Sequence, residues 1–189
     1  MAPIPLKLCT SNAGKFDEIK RLLNRESPRE LTRAPAIVPE VQHHDPTEVS
    51  MAKAWAAREQ VGTDVLVDDS AFYLEALANF PGAFVAHLIK AGGTEAIHRL
   101  LPDGADSRAR AVSVITLARD NVVVAFRGEV PGHVIATPRG TNSYGYDDVF
   151  VPEGETRTVS EMSADEKDET SPKRQAIDQL LAWLTERGL

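Results

Sequence analysis

An α/β fold, a mixed sheet flanked by helices, is predicted by the order of the chain and by its patterning. The first third alternates short apolar runs with amphipathic stretches, the arrangement that joins parallel strands through helices. Residues 108–118 and 122–130 then alternate polar and apolar side chains around Arg119-Asp120-Asn121, which reads as an antiparallel hairpin. A sheet with both kinds of pairing follows. The 189 residues fit a single domain, 1–189, long enough to bury a proper core.

Residues 4–10 read as the first strand, and 13–23 as a helix with Phe16, Ile19, Leu22 and Leu23 on one face. A strand at 31–38 leads into the polar loop Glu40-Val41-Gln42-His43-His44-Asp45-Pro46. Thr47 can cap a helix to residue 61, with Val49, Ala52, Trp55 and Ala56 facing the core. The short strand Val65-Leu66-Val67 is expected to run out into a loop at Asp68-Asp69-Ser70. Small helices are expected at 83–91 and 94–101, and a further strand at 132–136 after the hairpin. Residues 137–148 are rich in turn formers, as a binding loop would be, and end in Val149-Phe150-Val151. Ser163-Ala164-Asp165-Glu166 has the form of a capping box, and Ser171-Pro172 supplies an N-cap and first-turn proline for the last helix.

A formal net charge of −7 and a pI near 5.3 argue against a broad nucleic-acid or anionic-membrane surface, since such surfaces need a large positive field. Cys9 stands alone, so no internal disulfide forms, and its apolar strand suits a buried, inert thiol. With no membrane-length apolar run and no signal-peptide pattern, a reducing cytoplasm is the expected location.

Three clusters can carry chemistry. Thr10-Ser11-Asn12-Ala13-Gly14-Lys15 lies between the first strand and helix, where exposed backbone N–H groups attract anions, although the glycine-rich phosphate-loop pattern is absent. An asparagine cap beside a solvated lysine would look the same. Glu40, Asp68 and Asp69 follow strands, and carboxylates along one rim of a sheet can share a hard cation such as Mg²⁺; Lys53 can complement phosphate charge. An Asp-Asp-Ser turn in solvent remains the plain alternative. Ser143-Tyr144-Gly145-Tyr146-Asp147 sets a flexible glycine between two aromatics, which suits stacking on a base or simple half-buried packing. His43 and His44 lack the spacing of a helical metal pair.

Taken in order, these segments resemble the inosine triphosphate pyrophosphatase family, enzymes that remove deaminated purine nucleoside triphosphates. TSNAGK is similar to the family's T-x-N-x-x-K opening, VPEVQ to its metal-glutamate loop and VDDSAF to its E/D-D-S-G-L motif. FPGAFVAHLIKAGG resembles the proline-glycine segment that follows, and SYGYDDVFVPEGETRTVSEMSADEK the stretch F-G-Y-D-P-x-F-x-P-x-G…T-x-A-E-x-x-x-E-E-K. The resemblance covers nearly the whole chain. It implies an elongated α/β protein, usually a homodimer, with two lobes and a central nucleotide cleft, hydrolysing NTP to NMP and pyrophosphate with Mg²⁺ or Mn²⁺.

By motif match, Thr10, Ser11, Asn12, Ala13, Gly14 and Lys15 would hold the triphosphate, Asn12 and Lys15 most closely, and Lys53 would add a phosphate contact. Glu40 and Asp69 would bind the metal, Asp69 would also be the base for the attacking water, and Asp68 and Ser70 would support that site, with Asp68 a further candidate ligand. Tyr144 stands in place of the family's base-stacking phenylalanine, followed by Gly145, Tyr146 and Asp147, and Lys167 matches the lysine of E-E-K. The chain departs from the pattern at Pro172 and Lys173, where the family has a histidine and an arginine that reach the base. Proline has no side-chain donor and lysine lacks a planar fork, so weaker discrimination between bases is expected. The same chemistry on another nucleotide, or nucleotide binding without turnover, are the competing readings.

Overall fold

The computed structural model describes residues 4–25, 28–34, 38–62, 64–141 and 144–189. Its strands are β1 (Leu6–Cys9), β2 (Leu31–Ala34), β3 (Val65–Leu74), β4 (Pro81–Gly82), β5 (Arg108–Arg119), β6 (Val122–Val134) and β7 (Phe150–Pro152). Its α-helices are α1 (Ala13–Leu23), α2 (Pro46–Val61), α3 (Val85–Gly92), α4 (Glu95–Arg99), α5 (Ala164–Glu169) and α6 (Pro172–Glu186). The strands form one seven-stranded sheet in the order β2-β1-β3-β5-β6-β7, with β4 paired to β3. β1 pairs in parallel with both β2 and β3, whereas β4 with β3 and β7 with β6 are antiparallel, so the sheet is mixed as expected. Residues 35–37 of the expected second strand, and Ser143, lie outside the described residues.

The chain divides into two compact units. The first holds Met1–Asp69, Ser113–Gly128 and Lys173–Leu189, and the second Ser70–Val112 and Glu129–Pro172. In the first unit the chain moves from β1 to β2 in one direction and from β2 back across β1 to β3 in the other. Since both crossovers are right-handed by rule, α1 and α2 must cover opposite faces of the sheet. The cores agree: Ile19, Leu22 and Leu23 of α1 pack with Leu6, Leu8, Leu66 and α6, while Ala54 and Ala57 of α2 pack with Cys9, Val65 and Val67. Cys9 is buried and its thiol is pushed up by that burial, which suits inertness. The second unit has its own core around Phe72, Leu74, Ile97, Val134 and Phe150.

Three expectations need correction. The third strand does not end before the acids; β3 runs ten residues, with Asp68 and Asp69 inside it. Aspartate is disfavoured in strands chiefly because burial strips its water, and here ion pairs replace that water. Helix α2 is capped by Asp45, whose Oδ1 accepts from the Thr47 N–H at 2.9 Å, with Pro46 in the first turn. Its buried residues are Pro46, Val49, Ser50, Ala54 and Ala57, whereas Trp55 and Ala52, expected in the core, are exposed. Finally, no separate strand occupies 132–136, because β6 continues to Val134. Asp45 also meets the Arg127 guanidinium at 3.2 Å. Asp45→Ala should cost about 1 kcal/mol, a few degrees in thermal midpoint, checked by thermal unfolding.

Candidate active site

Open α/β sheets bind ligands beyond the carboxyl ends of parallel strands, where the strand order reverses. In this sheet that place is between β1 and β3. Leu8 aligns with Leu66, so two residues further along each strand Thr10 stands level with Asp68. The acids therefore sit at the β1–α1 turn, although their own strand continues.

That turn is built from its sequence. The Asn12 N–H donates to Thr10 Oγ1 at 3.1 Å, and Asn12 Oδ1 accepts from the Lys15 N–H at 3.1 Å, capping α1. A Cβ on Gly14 would come within 3.3 Å of that cap oxygen, which is why the smallest residue suits the position. Ser11, Ala13 and Gly14 are exposed around the helix N-terminus, and α1 has no acidic residue in its first turn to oppose an anion. Arg33 of β2, which sequence reasoning missed, donates from Nε to the Thr10 carbonyl at 2.8 Å and from Nη2 to the Ser11 carbonyl. An exposed arginine near the end of a strand carries no local sign of that reach.

Successive strand residues face opposite ways. Asp68, in phase with Leu66, shares its side with α1 and α6; Asp69, in phase with Val65 and Val67, shares its side with α2. Asp68 is 3 % exposed: its Oδ2 lies 2.7 Å from Lys15 Nζ and 3.8 Å from Lys173 Nζ, and its Oδ1 accepts from Ser113 Oγ at 3.1 Å. Burial would push this carboxyl up, but Lys15 and then Lys173 overcome it and hold the group far below the ordinary carboxylate range. Its oxygens are thus committed to cations and a hydroxyl, on the side away from Asp69. Asp68 thus anchors two lysines, as a residue supporting the site would.

Asp69 and Glu40 converge on Lys53 of α2, whose Nζ is 3.0 Å from Asp69 Oδ1 and 2.5 Å from Glu40 Oε1. Asp69 Oδ2 is buried and finds no hydrogen-bond partner among the described residues. Burial raises the Asp69 carboxyl, with Lys53 and then Lys15 opposing the rise and Asp68 adding to it. Burial would lower Lys53, but Asp69 and then Glu40 outweigh it and keep the ammonium charged. Two carboxylates around one positive centre, one with an open oxygen, fit a hard divalent cation that keeps waters for its other positions. Among the described residues no group of three or more His, Cys, Asp or Glu is placed to hold an ion, so such a cation would draw other ligands from water and substrate. Ser70 follows Asp69, partly buried, as the first residue of the second unit.

The second unit gathers the other candidates. Gly145 adopts φ +63°, a conformation glycine takes without strain. Tyr146 stacks 4.4 Å from Phe72 and edge-on to Phe150, so it packs with the core, whereas Tyr144 presents a 44 % exposed residue. Lys167 meets Asp147 at 2.5 Å. Ser163 and Glu166 form the expected capping box of α5, and α6 begins at Pro172. Lys173 belongs to the first unit, where its ammonium lies 2.5 Å from Glu18.

Fold and site together define an α/β protein with an exposed helix N-terminus beside a buried carboxylate pair. The chain belongs to the Ham1 family, whose model matches residues 6–183. It is 34% identical over 186 residues to a dITP/XTP pyrophosphatase of Pyrobaculum aerophilum, covering 97% of this chain and 98% of that one. It is 31% identical to an inosine triphosphate pyrophosphatase of Aspergillus fumigatus, covering 98% and 97% of the two chains. The solved HAM1 protein of Coxiella burnetii superposes with a TM-score of 0.82 at 29% identity, covering 97% of this chain and 99% of that one. Among the described residues no helix is long and apolar enough to cross a membrane.

Proposed function

We propose that this protein is a nucleoside triphosphate pyrophosphatase that hydrolyses ITP, dITP or XTP to the monophosphate and pyrophosphate, with Mg²⁺ or Mn²⁺ held by Glu40 and Asp69. The observation that carries the reading is Asp69: a buried carboxylate, raised by that burial, fixed through one oxygen by Lys53 and open at the other. Asp69 Oδ2 takes the proton of the attacking water, while Lys53 holds the carboxylate in place through Oδ1. Bound at these carboxylates, the cation supplies Lewis-acid charge stabilisation and lowers the pKa of a water. The N-terminus of α1, with Lys15, receives the phosphate oxygens, and fixed charges there replace the water that would otherwise solvate them. Tyr144 offers a ring to the base, with Asp147 and Lys167 as its polar partners; a homodimer and a cytoplasmic location complete the proposal.

A second reading, the same chemistry on another nucleotide, is favoured by Pro172 and by the engagement of Lys173 with Glu18, which leaves the base without the family's histidine and arginine. Nucleotide binding without turnover is the reading from a different class, and pyrophosphate release tells it apart. The deciding experiment measures pyrophosphate and monophosphate release with Mg²⁺ from ITP, XTP, dITP and the common NTPs and dNTPs. Release from ITP, XTP or dITP at the highest kcat/KM is expected; a preference for a common nucleotide supports the second reading, and binding without pyrophosphate rejects both.

Arg33 offers a further check. Its two bonds to the Thr10 and Ser11 carbonyls fix the turn that receives phosphate. Arg33→Ala should lower kcat/KM about tenfold, mainly through KM, because a displaced turn no longer meets its substrate squarely. Arg33→Lys should not restore it, since one ammonium cannot span two carbonyls as a fork does. Steady-state kinetics on both variants checks this.

A further inference from the structure

Lys173 is among the most deeply buried cations of the described chain, its side chain 8% exposed. Its ammonium lies 2.5 Å from Glu18 and 3.8 Å from Asp68 Oδ2. Glu18 stands three residues after Lys15 on α1, and side chains at that spacing share one side of a helix. Lys15 in turn lies 2.7 Å from the same Asp68 oxygen. Two cations and two carboxylates, from α1, β3 and α6, thus form one balanced and mostly buried cluster immediately behind the N-terminus of α1.

We propose that Lys173 is a positioning residue for the phosphate end of the site: with Glu18 it sets the charge around Asp68 and so the availability of Lys15 to a polyphosphate. The inference rests on the reading of that end as the triphosphate site. Without Lys173, two carboxylates would compete for the single Lys15 ammonium, drawing it inward and leaving local negative charge that repels an incoming anion. Without the charge of Glu18, the cluster would carry an excess positive charge that attracts one. In a low-dielectric surrounding such charges act strongly over a few ångströms. The two changes therefore have opposite signs, which a merely structural role for the pair would not produce, because loss of either partner would then loosen α1.

The test is calorimetric binding of inorganic tripolyphosphate, a probe with no base and no need of turnover, so that it stays readable even if the pyrophosphatase reading fails. Lys173→Met should bind it about tenfold more weakly than wild type, Glu18→Gln at least as tightly as wild type, and the double variant within about threefold of wild type. Lys173→Arg, which keeps the charge, should retain both tripolyphosphate affinity and the wild-type ratio of kcat/KM for ITP over GTP. If Lys173→Met does not fold, the double variant compared with Glu18→Gln reads the loss of the Lys173 charge, expected as weaker binding in the double variant. Unchanged tripolyphosphate affinity in Lys173→Met, weakened affinity in Glu18→Gln, or a sharpened ITP to GTP ratio in Lys173→Arg would overturn the proposal.

Discussion

Asp69→Asn is expected to lower kcat about 10³-fold while leaving nucleotide affinity within a few-fold of wild type. Asparagine keeps an oxygen for Lys53 but cannot accept a proton from water, and a positioned base contributes roughly 10²–10⁴ in rate. The fold should persist. Lys53 loses one of its two counter-charges but keeps Glu40, so the variant should be only modestly less stable than wild type. Single-turnover kinetics beside calorimetric binding separates the two quantities. A kcat near wild type would remove Asp69 from the chemistry.

The neighbouring residue should behave in the opposite way. Asp68 faces Lys15, Lys173 and Ser113 and is almost wholly buried. Asp68→Asn leaves the buried Lys173 and the partly buried Lys15 short of counter-charge; breaking a buried pair typically costs about 3–5 kcal/mol, on the order of 10 °C in thermal midpoint for a chain of this size. The sign of its pH dependence follows from the depressed carboxyl. Stability from Asp68 is fully present above the unfolded value near 3.8 and drains away as pH falls below it, because the unfolded chain then binds the proton that the folded one refuses. Urea unfolding across that range should show the wild-type stability approaching that of Asp68→Asn at low pH. A parallel pair of curves would contradict the ion-pair account.

This divergence of two adjacent acids shows what local sequence can and cannot report. The helix cap at Asn12, the hairpin at Asp120 and the capping box at Ser163 were legible because each is a bargain among near neighbours. The acids, lysines and the switch from alternating strand and helix to hairpin were legible as residue types in order. The length of β3 was not, because the partners that make two aspartates tolerable in a strand come from α1, α2, β5 and α6. Nor was the buried face of α2, where alanines on every side erase the periodicity that would point inward. The Lys173–Glu18 pair joins residues 155 positions apart, and Arg33 reaches 22 and 23 positions back, beyond any spacing rule. Once strand alternation and right-handed crossovers are applied to the true β3, however, the assignment of Asp68 to α1 and Asp69 to α2 follows without further information.

The central claim, that Asp69 directs water at the phosphorus nearest the sugar, is tested most directly by phosphorus NMR of ITP turnover in oxygen-18 water. The account predicts IMP carrying the label and unlabelled pyrophosphate. Label in pyrophosphate, or products of IDP and inorganic phosphate, would contradict it.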